Sequence, residues 1–145
     1  MQKKNDIDAV ISIIKDAQEL LANQNIAQWQ NGYPNKMVIC NDIDNNESFL
    51  LTSNKEPIAT AMFSTKNEPT YSKIEGNWMN PTQITYGVIH RMAVAKKHRG
   101  KGFAKYIFNQ CEQYLSEKKI QSMRIDTHKD NIGMQQLLKN LGYSY

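Results

Sequence analysis

The chain has few cysteines and no long apolar run. Its 145 residues include two cysteines, Cys40 and Cys111, and neither has a partner at the spacing of a metal or redox motif. We therefore expect free thiols, no disulfide and no bound metal. There is no signal peptide and no apolar stretch of about 18 residues. These absences argue against a membrane-spanning or disulfide-rich protein and predict a cytoplasmic one, where thiols stay reduced.

Excess charge is also small, and it is concentrated in one place. The 18 basic and 14 acidic residues leave a net charge of +4, whereas residues 96–105 carry five basic side chains and no acidic one. A nucleic-acid surface would spread its charge more widely, so we expect one localised anion site and neither a nucleic-acid nor a membrane partner. The length and the 40% hydrophobic content predict a single domain, residues 1–145, with a true core.

Hydrophobic periodicity predicts an order of helix, helix, hairpin, strand, helix, strand, helix. The predicted elements are helices over 6–23 and 35–44, strands over 48–52 and 57–65, a strand from residue 84, a helix over 102–118, a strand over 121–127 and a last helix that Asp130 or Asn131 caps and Gly142 closes. In the second helix we expect Met37, Val38 and Ile43 to face inward. A helix connecting the last two strands makes them parallel. The fold class is therefore α/β (α+β in some schemes), with a mixed, mostly antiparallel central sheet flanked by helices.

The most informative stretch is 84–108, in which an apolar strand breaks into a basic turn that opens a helix. The turn reads KKHRGKG from Lys96 to Gly102, and an amphipathic pattern begins at Phe103. A strand, turn and helix in this order direct free backbone N–H groups and the positive helix end at one spot, which suits phosphate. Gly100 and Gly102 allow the backbone to approach an anion closely. The simplest ligand is a multiply phosphorylated cofactor.

Two blocks of sequence together resemble the GCN5-related N-acetyltransferase (GNAT) family, in the form of a small bacterial-type member. The turn pattern K-x-x-G-x-G from Lys97, after the strand residues MAV, resembles the acetyl-CoA loop of that family, although the usual first residue is Gln or Arg. The stretch from Asp130 to Tyr143 resembles the next block, which ends in Gly-Phe or Gly-Tyr. The resemblance covers about residues 5–145 and implies the acyl-CoA N-acyltransferase fold.

The resemblance also implies acetyl-CoA as the cosubstrate and assigns residues to it. In the family, the strand offers backbone groups to the pantetheine arm, the turn cradles the pyrophosphate, and the final helix adds a polar contact. The residues implied here are Met92, Ala93, Val94, Lys97, Arg99, Gly100, Lys101, Gly102, Phe103, Ala104 and Asn131. The alternatives are a solvated face for the lysines and an ordinary tight turn for the glycines.

Acetyl transfer to a primary amine needs a base, because the amine attacks only when neutral and its pKa is near ~10 when it resembles lysine. His90 is the first candidate. It precedes Met92 by two residues, so strand alternation predicts that both share a face, and an ordinary histidine titrates near neutral pH. Glu75 is the second candidate. The alternatives are a buried, hydrogen-bonded histidine and an exposed loop carboxylate. We expect a backbone N–H near Met92 to stabilise the oxyanion.

The chain departs from the family pattern in two places. Many members carry a tyrosine as general acid four residues before the closing glycine, where this chain has Leu138; Tyr143 and Tyr145 are candidate substitutes, with packing as the alternative. The family fold usually also has a strand before the first helix and two strands after the Gly-Phe. We expect short or missing terminal strands here. The result would be an open sheet edge that recruits a second copy to form a homodimer, or the product of a truncated gene.

The sequence is compatible with three functions. The leading hypothesis is an acetyl-CoA-dependent N-acetyltransferase that acts on a small-molecule or peptide amine by direct attack in a ternary complex. The second is an acyl-CoA-binding module without catalysis, motivated by Leu138. The third is a nucleic-acid binder, which is disfavoured because no aromatic residues interleave the basic turn. Asp126 and His128 are expected either to orient the amine or to cap the last helix. Aromatic candidates for the acceptor pocket are Trp29, Tyr33, Tyr71 and Trp78.

Overall fold

The computed structural model describes residues 6–66 and 85–144. In chain order its elements are α1 (Ile7–Asn23), α2 (Lys36–Asp44), β1 (Ser48–Ser53), β2 (Glu56–Ser64), β3 (Gly87–Val94), a 3-10 turn (Lys96–His98), α3 (Phe103–Glu117), β4 (Met123–Arg124) and α4 (Ile132–Asn140). This order matches the predicted one. Within the two described ranges, no helix is long and apolar enough to cross a membrane.

The four strands form one sheet in the order β1-β2-β3-β4. The first two pairings are antiparallel, and β3 pairs in parallel with β4. The mixed, mostly antiparallel sheet is thereby confirmed, and α3 is the crossover helix between the parallel strands. The prediction of a strand over 121–127 is too long, because β4 pairs with β3 at two positions before the strands separate.

Helices cover both faces of the sheet. On one face, α1 and α2 enclose a core of buried residues, which are Val10, Ile13, Ile14, Ile39, Ile43, Ala93 and Ala95. On the other face, α3 and the partly buried side of α4 cover a second core, which contains Ala61, Phe63, Ile89, Phe108 and Leu115. The buried positions of α1 recur every three or four residues, which is the spacing of one helix face.

The inward face of α2 differs from the prediction at Met37, whereas the prediction for Ile43 is confirmed. Met37 is 79% exposed, whereas Ile39 and Ile43 are buried. The helix begins after Asn35, whose side chain accepts a hydrogen bond from the Val38 amide at 3.0 Å. Residues four apart share a helix face, so Ile39 and Ile43 define the buried side. Met37 lies two residues from Ile39, which places it on the opposite side.

Gly87 allows α3 to lie close to β3. A Cβ atom at this position would be 2.6 Å from a methyl group of Leu115 and 3.2 Å from the Phe63 ring. Both neighbours belong to the core beneath α3. The missing side chain therefore sets the distance between the crossover helix and the sheet next to the point where β3 and β4 part.

Candidate functional site

A cleft opens where β3 and β4 separate. Their parallel pairing ends at Val88 and Arg124, whereas β3 continues to Val94. The cleft encloses about 1200 Å³ and is lined by β3, by the segments that follow α1 and β4, and by the first turns of α4. This volume slightly exceeds the usual range for sites that bind drug-sized ligands. A cosubstrate as large as a nucleotide derivative therefore fits.

β3 contains a β-bulge at Arg91 and Met92, which together oppose the single residue Ala61 of β2. The flanking pairs are His90 with Met62 and Ala93 with Thr60. Arg91 has a φ of +50°, in the left-handed region that costs a side-chain-bearing residue about 1–3 kcal/mol. The surrounding structure must therefore hold this backbone in place.

The bulge overturns the expectation that His90 and Met92 share a face. The β2 partners of His90 and Ala93 are two residues apart and so point to the same face. His90 therefore lies on the face of Ala93, whose side chain packs beneath α1, whereas Met92 packs against the α3 core. The extra residue shifts the alternation by one position, which sequence periodicity does not reveal.

His90 lies in the cleft wall beside Asp126. Its Nδ1 atom is 3.3 Å from an Asp126 carboxylate oxygen, and the two side chains are 17% and 65% exposed. A carboxylate next to Nδ1 favours the neutral tautomer that carries its proton there, which leaves Nε2 able to accept a proton. The pair is therefore equipped for general base chemistry within the cleft.

The basic turn after β3 has the geometry of an anion cradle. Gly100 and Gly102 have φ values of +75° and +83°, which glycine adopts without steric cost. α3 begins immediately afterwards at Phe103, and among the described residues no side chain caps it and no acidic residue lies in its first turn. The N–H groups of that turn have no acceptor inside the helix. These N–H groups and the positive end of the helix therefore point to the same position, where an anion can bind.

Two of the basic side chains in the turn have partners within the protein. Arg99 donates a hydrogen bond to the main-chain carbonyl of Asp16 at 2.8 Å, and Lys97 contacts the carboxylate of Glu56. The backbone N–H of Lys96 also donates to the Asp16 carboxylate at 3.2 Å. α1 and β2 therefore fix the position of the turn.

The remaining side chains of the turn differ in exposure. Lys101 and Lys105 are exposed and are suited to meet an anion in solution. His98 is half-buried, and its ring stacks edge-on against Phe103 with centroids 5.9 Å apart. Partial burial and the charges of Lys101 and Lys97 lower the pKa of His98, so the ring is neutral at physiological pH. This packing role of His98 is not evident from the sequence.

Asn131 begins α4 at the opposite wall of the cleft. Its side-chain oxygen accepts a hydrogen bond from the Met134 amide at 3.1 Å, and its amide nitrogen donates to Gln28 at 2.8 Å. The predicted cap of the last helix is thereby confirmed. Gln28, which the sequence did not suggest, ties the segment after α1 to this helix. His128 supports the same turn, because its Nδ1 accepts a hydrogen bond from the Asp130 amide.

Tyr143 lies away from this cleft. Its hydroxyl donates a hydrogen bond to Glu112 at 2.7 Å, and its ring packs 6.1 Å from that of Phe108. Tyr143 lines a second, smaller pocket with the end of α3. Burial and the Glu112 carboxylate raise the pKa of its hydroxyl. The structure therefore does not bring Tyr143 together with His90, and Leu138 packs in the core beside it.

An ion pair that is not evident from the sequence lies behind the bulge. The guanidinium of Arg91 donates two hydrogen bonds to the Asp42 carboxylate, at 2.6 and 2.7 Å, and a third to the Tyr33 hydroxyl at 3.0 Å. Burial alone would lower the pKa of Arg91, but the hydrogen bonds and the charge of Asp42 outweigh it, so the pKa is raised. The guanidinium therefore stays charged at every physiological pH.

Several predicted residues lie outside the described part of the chain. These are Glu75, Tyr71, Trp78 and Tyr145. Trp29 and Tyr33 do line the cleft. Within the described ranges, no three His, Cys, Asp or Glu side chains cluster as metal ligands.

Comparison with known proteins agrees with this geometry. The sequence profile of the acetyltransferase (GNAT) family matches residues 14–143, whereas no curated protein matches the chain. A GNAT-family acetyltransferase from Streptococcus agalactiae has 29% identity and a TM-score of 0.87, over 100% of this chain and 83% of that one.

Two further structures have a similar fold. A putative acetyltransferase from Staphylococcus aureus has 22% identity and a TM-score of 0.79, over 99% of this chain and 89% of that one. A predicted acetyltransferase from Clostridium acetobutylicum, solved with acetyl-CoA, has 20% identity and a TM-score of 0.66, over 99% and 87% of the two chains. Because the family profile covers most of the sequence, this chain belongs to the acetyltransferase (GNAT) family.

Proposed function

We propose that this protein is an acetyl-CoA-dependent N-acetyltransferase. It moves an acetyl group to a primary amine of a small molecule or peptide, by direct attack in a ternary complex. The observation that carries the proposal is the His90–Asp126 pair, 3.3 Å apart, in a cleft that also includes the bulged strand and one end of the glycine turn.

The residues around the cleft suit acetyl-CoA. The amides of 99–104 and the exposed Lys101 would hold the pyrophosphate, with Lys97 and Arg99 adding charge from fixed positions. The backbone of 92–94 would bind the pantetheine arm, opposite Asn131 and the apolar side chains of α4. When bound, acetyl-CoA supplies an activated thioester carbonyl. The Clostridium acetobutylicum structure with acetyl-CoA supports this choice of cosubstrate.

The protein would supply a base and an oxyanion site. His90 removes the proton of the amine, and Asp126 stabilises the resulting imidazolium. An N–H group of the bulge at Met92 would donate to the oxygen on which negative charge develops. A thiolate leaving group has an ordinary pKa near ~8.5, so its release at pH 7 is only about 2 kcal/mol uphill. The reaction therefore does not depend on a tyrosine at the position of Leu138.

One observation favours a second function, an acyl-CoA-binding module without catalysis. The position of the usual acid is occupied by Leu138, and Tyr143 is bound to Glu112 instead of facing the cleft. Such a protein would bind acetyl-CoA but release no thiol in the presence of amines. Glu75 remains the second candidate base for the enzymatic alternative.

Two successive measurements test these functions. Calorimetry with acetyl-CoA comes first, and an absence of binding would contradict both. Thiol release on a panel of amines then distinguishes enzyme from module. If His90 is the base, His90→Gln lowers kcat/KM about 10²-fold or more and removes the acidic limb of the pH–rate profile.

Two further variants complete the test of His90. Asp126→Asn should lower the rate less than His90→Gln, because it only weakens the support of the imidazolium. Glu19→Gln, on the exposed side of α1, serves as the surface control and should leave the rate unchanged. An unchanged pH–rate profile in His90→Gln would show that another group is the base.

A further inference from the structure

We propose that Arg91, clamped by Asp42, is a positioning residue for the transfer reaction. It fixes the bulge that separates His90 from Met92. It also holds the Tyr33 hydroxyl in the part of the cleft wall where we expect the amine acceptor, called the acceptor side below. This inference rests on the proposed acetyltransferase function. It assigns roles to three residues, none of which belongs to the two sequence blocks that mark the family.

The backbone at Arg91 needs an external hold. Its φ of +50° lies in a region that residues other than glycine, asparagine and aspartate rarely adopt. Strained backbone of this kind persists only where surrounding contacts determine it, and such positions cluster at functional sites. Here the strained residue lies directly between the base candidate and the residue expected to supply the oxyanion donor. A small rotation at Arg91 would therefore move both groups.

Asp42 provides that hold from the core. It accepts two hydrogen bonds from the Arg91 guanidinium, at 2.6 and 2.7 Å, in the paired geometry that fixes orientation as well as distance. The side chains of Arg91 and Asp42 are only 15% and 11% exposed. Asp42 lies on α2 between Ile39 and Ile43, both of which are buried in the core. The packing of α2 thus determines where the arginine, and with it the bulge, must lie.

The third hydrogen bond of Arg91 extends the arrangement to the acceptor side. Nη1 donates to the Tyr33 hydroxyl oxygen at 3.0 Å, which leaves the phenolic proton able to donate to another group. The main-chain carbonyl of Tyr33 accepts a hydrogen bond from Gln18 at 2.9 Å, so the residue is held at both ends. Tyr33 lines the cleft and is 44% exposed. We therefore expect its hydroxyl to contact the amine substrate.

A purely structural role is the alternative. Buried ion pairs contribute little net stability, because the cost of removing two charges from water offsets their attraction, and apolar residues of similar volume often replace them without loss. This property separates the two roles experimentally. The double variant Asp42→Leu/Arg91→Met keeps the side-chain volume and removes both charges. It should therefore remain folded, but the backbone of the bulge should no longer be held in one conformation.

The test compares three variants with the wild type, at a temperature well below the Tm of each. For the double variant and for Arg91→Lys we expect kcat to fall about tenfold or more, since small misplacements of reacting groups have large effects on rate. The Kd for acetyl-CoA, measured by calorimetry, should change by a smaller factor than kcat, because the glycine turn and Asn131 also hold the cosubstrate. Tyr33→Phe should raise KM for the amine about threefold or more at nearly unchanged kcat, as expected for one lost hydrogen bond.

The matched control breaks an ion pair elsewhere. Glu47→Gln removes the partner of Lys66, which lies outside the cleft, and should leave kcat and both KM values unchanged. If the double variant and Arg91→Lys are folded and keep the wild-type kcat and pH–rate profile, the positioning role is wrong. If the wild type itself releases no thiol with any amine, the proposed acetyltransferase function fails first, and the role of Arg91 in it fails with it.

Discussion

Two of the residues that the sequence suggests for proton transfer, His90 and Tyr143, have opposite surroundings. His90 faces a large cleft beside a carboxylate 3.3 Å away. Tyr143 is held by Glu112 in a separate pocket, and the pKa of its hydroxyl is raised by burial and by that carboxylate. A group whose proton is held so firmly is a poor general acid at neutral pH. The type of a residue identifies it as a candidate for proton transfer, and the surroundings of its side chain determine whether it can act.

The first prediction concerns Tyr143. We expect Tyr143→Phe to leave kcat within about twofold and to lower the free energy of unfolding by about 1 kcal/mol, the usual value of one hydrogen bond. Because the folded-state pKa is raised above the ordinary ~10, the contribution is fully present below about pH 10 and is lost as pH rises further. Denaturant unfolding at pH 7 and above pH 10 checks this. A large loss of kcat would instead make Tyr143 the acid.

The second prediction concerns Cys111, whose pKa is raised to about 12 by burial and by the charge of Glu112. The thiolate is the reactive form, so at pH 8 the folded Cys40→Ser variant, which retains only Cys111, should react with iodoacetamide at least about a hundredfold more slowly than free cysteine. Addition of urea to unfold the variant should restore the rate. Fast labelling of the folded variant would contradict the assignment of Cys111 as an inert core thiol.

At the scale of elements, the glycine turn depends on α1, which is about 80 residues away in sequence. Asp16 accepts a hydrogen bond from the Lys96 amide through its side chain and one from Arg99 through its carbonyl. Glu56 on β2 also contacts Lys97. These contacts matter because the two glycines give the backbone of the turn great conformational freedom. We infer that α1 holds the turn in its binding conformation and thereby affects the affinity for acetyl-CoA.

The third prediction follows from this contact. Asp16→Ala removes the acceptor for Lys96 and should raise the Kd for acetyl-CoA about threefold to tenfold, since one net hydrogen bond corresponds to roughly 1 kcal/mol. Glu19→Ala removes the same charge from the exposed side of the same helix and should leave Kd unchanged. Equal effects of both substitutions in calorimetry would point to net charge and not to support of the turn.

The fourth prediction compares two glycines at helix starts. A Cβ at Gly102 would meet no atom within 4 Å, so the cost of Gly102→Ala comes from its φ of +83° and should be about 1–2 kcal/mol of stability, with weaker acetyl-CoA binding. Gly133 has no positive φ and lies in α4, so Gly133→Ala should be neutral or stabilise by up to about 1 kcal/mol. Thermal unfolding checks both, and equal effects would contradict the strained-turn account.

At the scale of the whole molecule, the sheet has an edge at β4. Among the described residues, β4 pairs with β3 alone. The exposed side of such a strand offers N–H and C=O groups to another chain. The homodimer proposed from the sequence would use this edge, beside the smaller pocket that Tyr143 and the end of α3 line.

The fifth prediction tests that dimer. Light scattering after size-exclusion chromatography should give about twice the monomer mass of 16.7 kDa at micromolar concentration, with dissociation on dilution. If the protein retains its unfolding transition but has the mass of one chain at every concentration, the β4 edge is not a dimer interface.

The local elements were well predicted because their signals are local. The spacing of apolar residues fixes α1, the hairpin of β1 and β2, and α3, and each can be found within a window of about 15 residues. The error at Met37 is different in kind. The four apolar residues Met37, Val38, Ile39 and Ile43 of this nine-residue helix fit more than one face. Only packing against α1 and the sheet selects Ile39 and Ile43.

Residues close together in the chain encode the order of the elements, the glycine turn, the helix cap at Asp130 or Asn131 and the resemblance to the family, so these features can be identified without a structure. The assembly of the site depends on the tertiary structure. A one-residue bulge places His90 on a different face from Met92. Asp126 lies beside His90 although it is 36 residues away in the chain, and Asp42, 49 residues away from Arg91, holds the guanidinium of that neighbouring residue. Such contacts depend on how the strands align and separate, and the periodicity of apolar residues along the chain does not predict either.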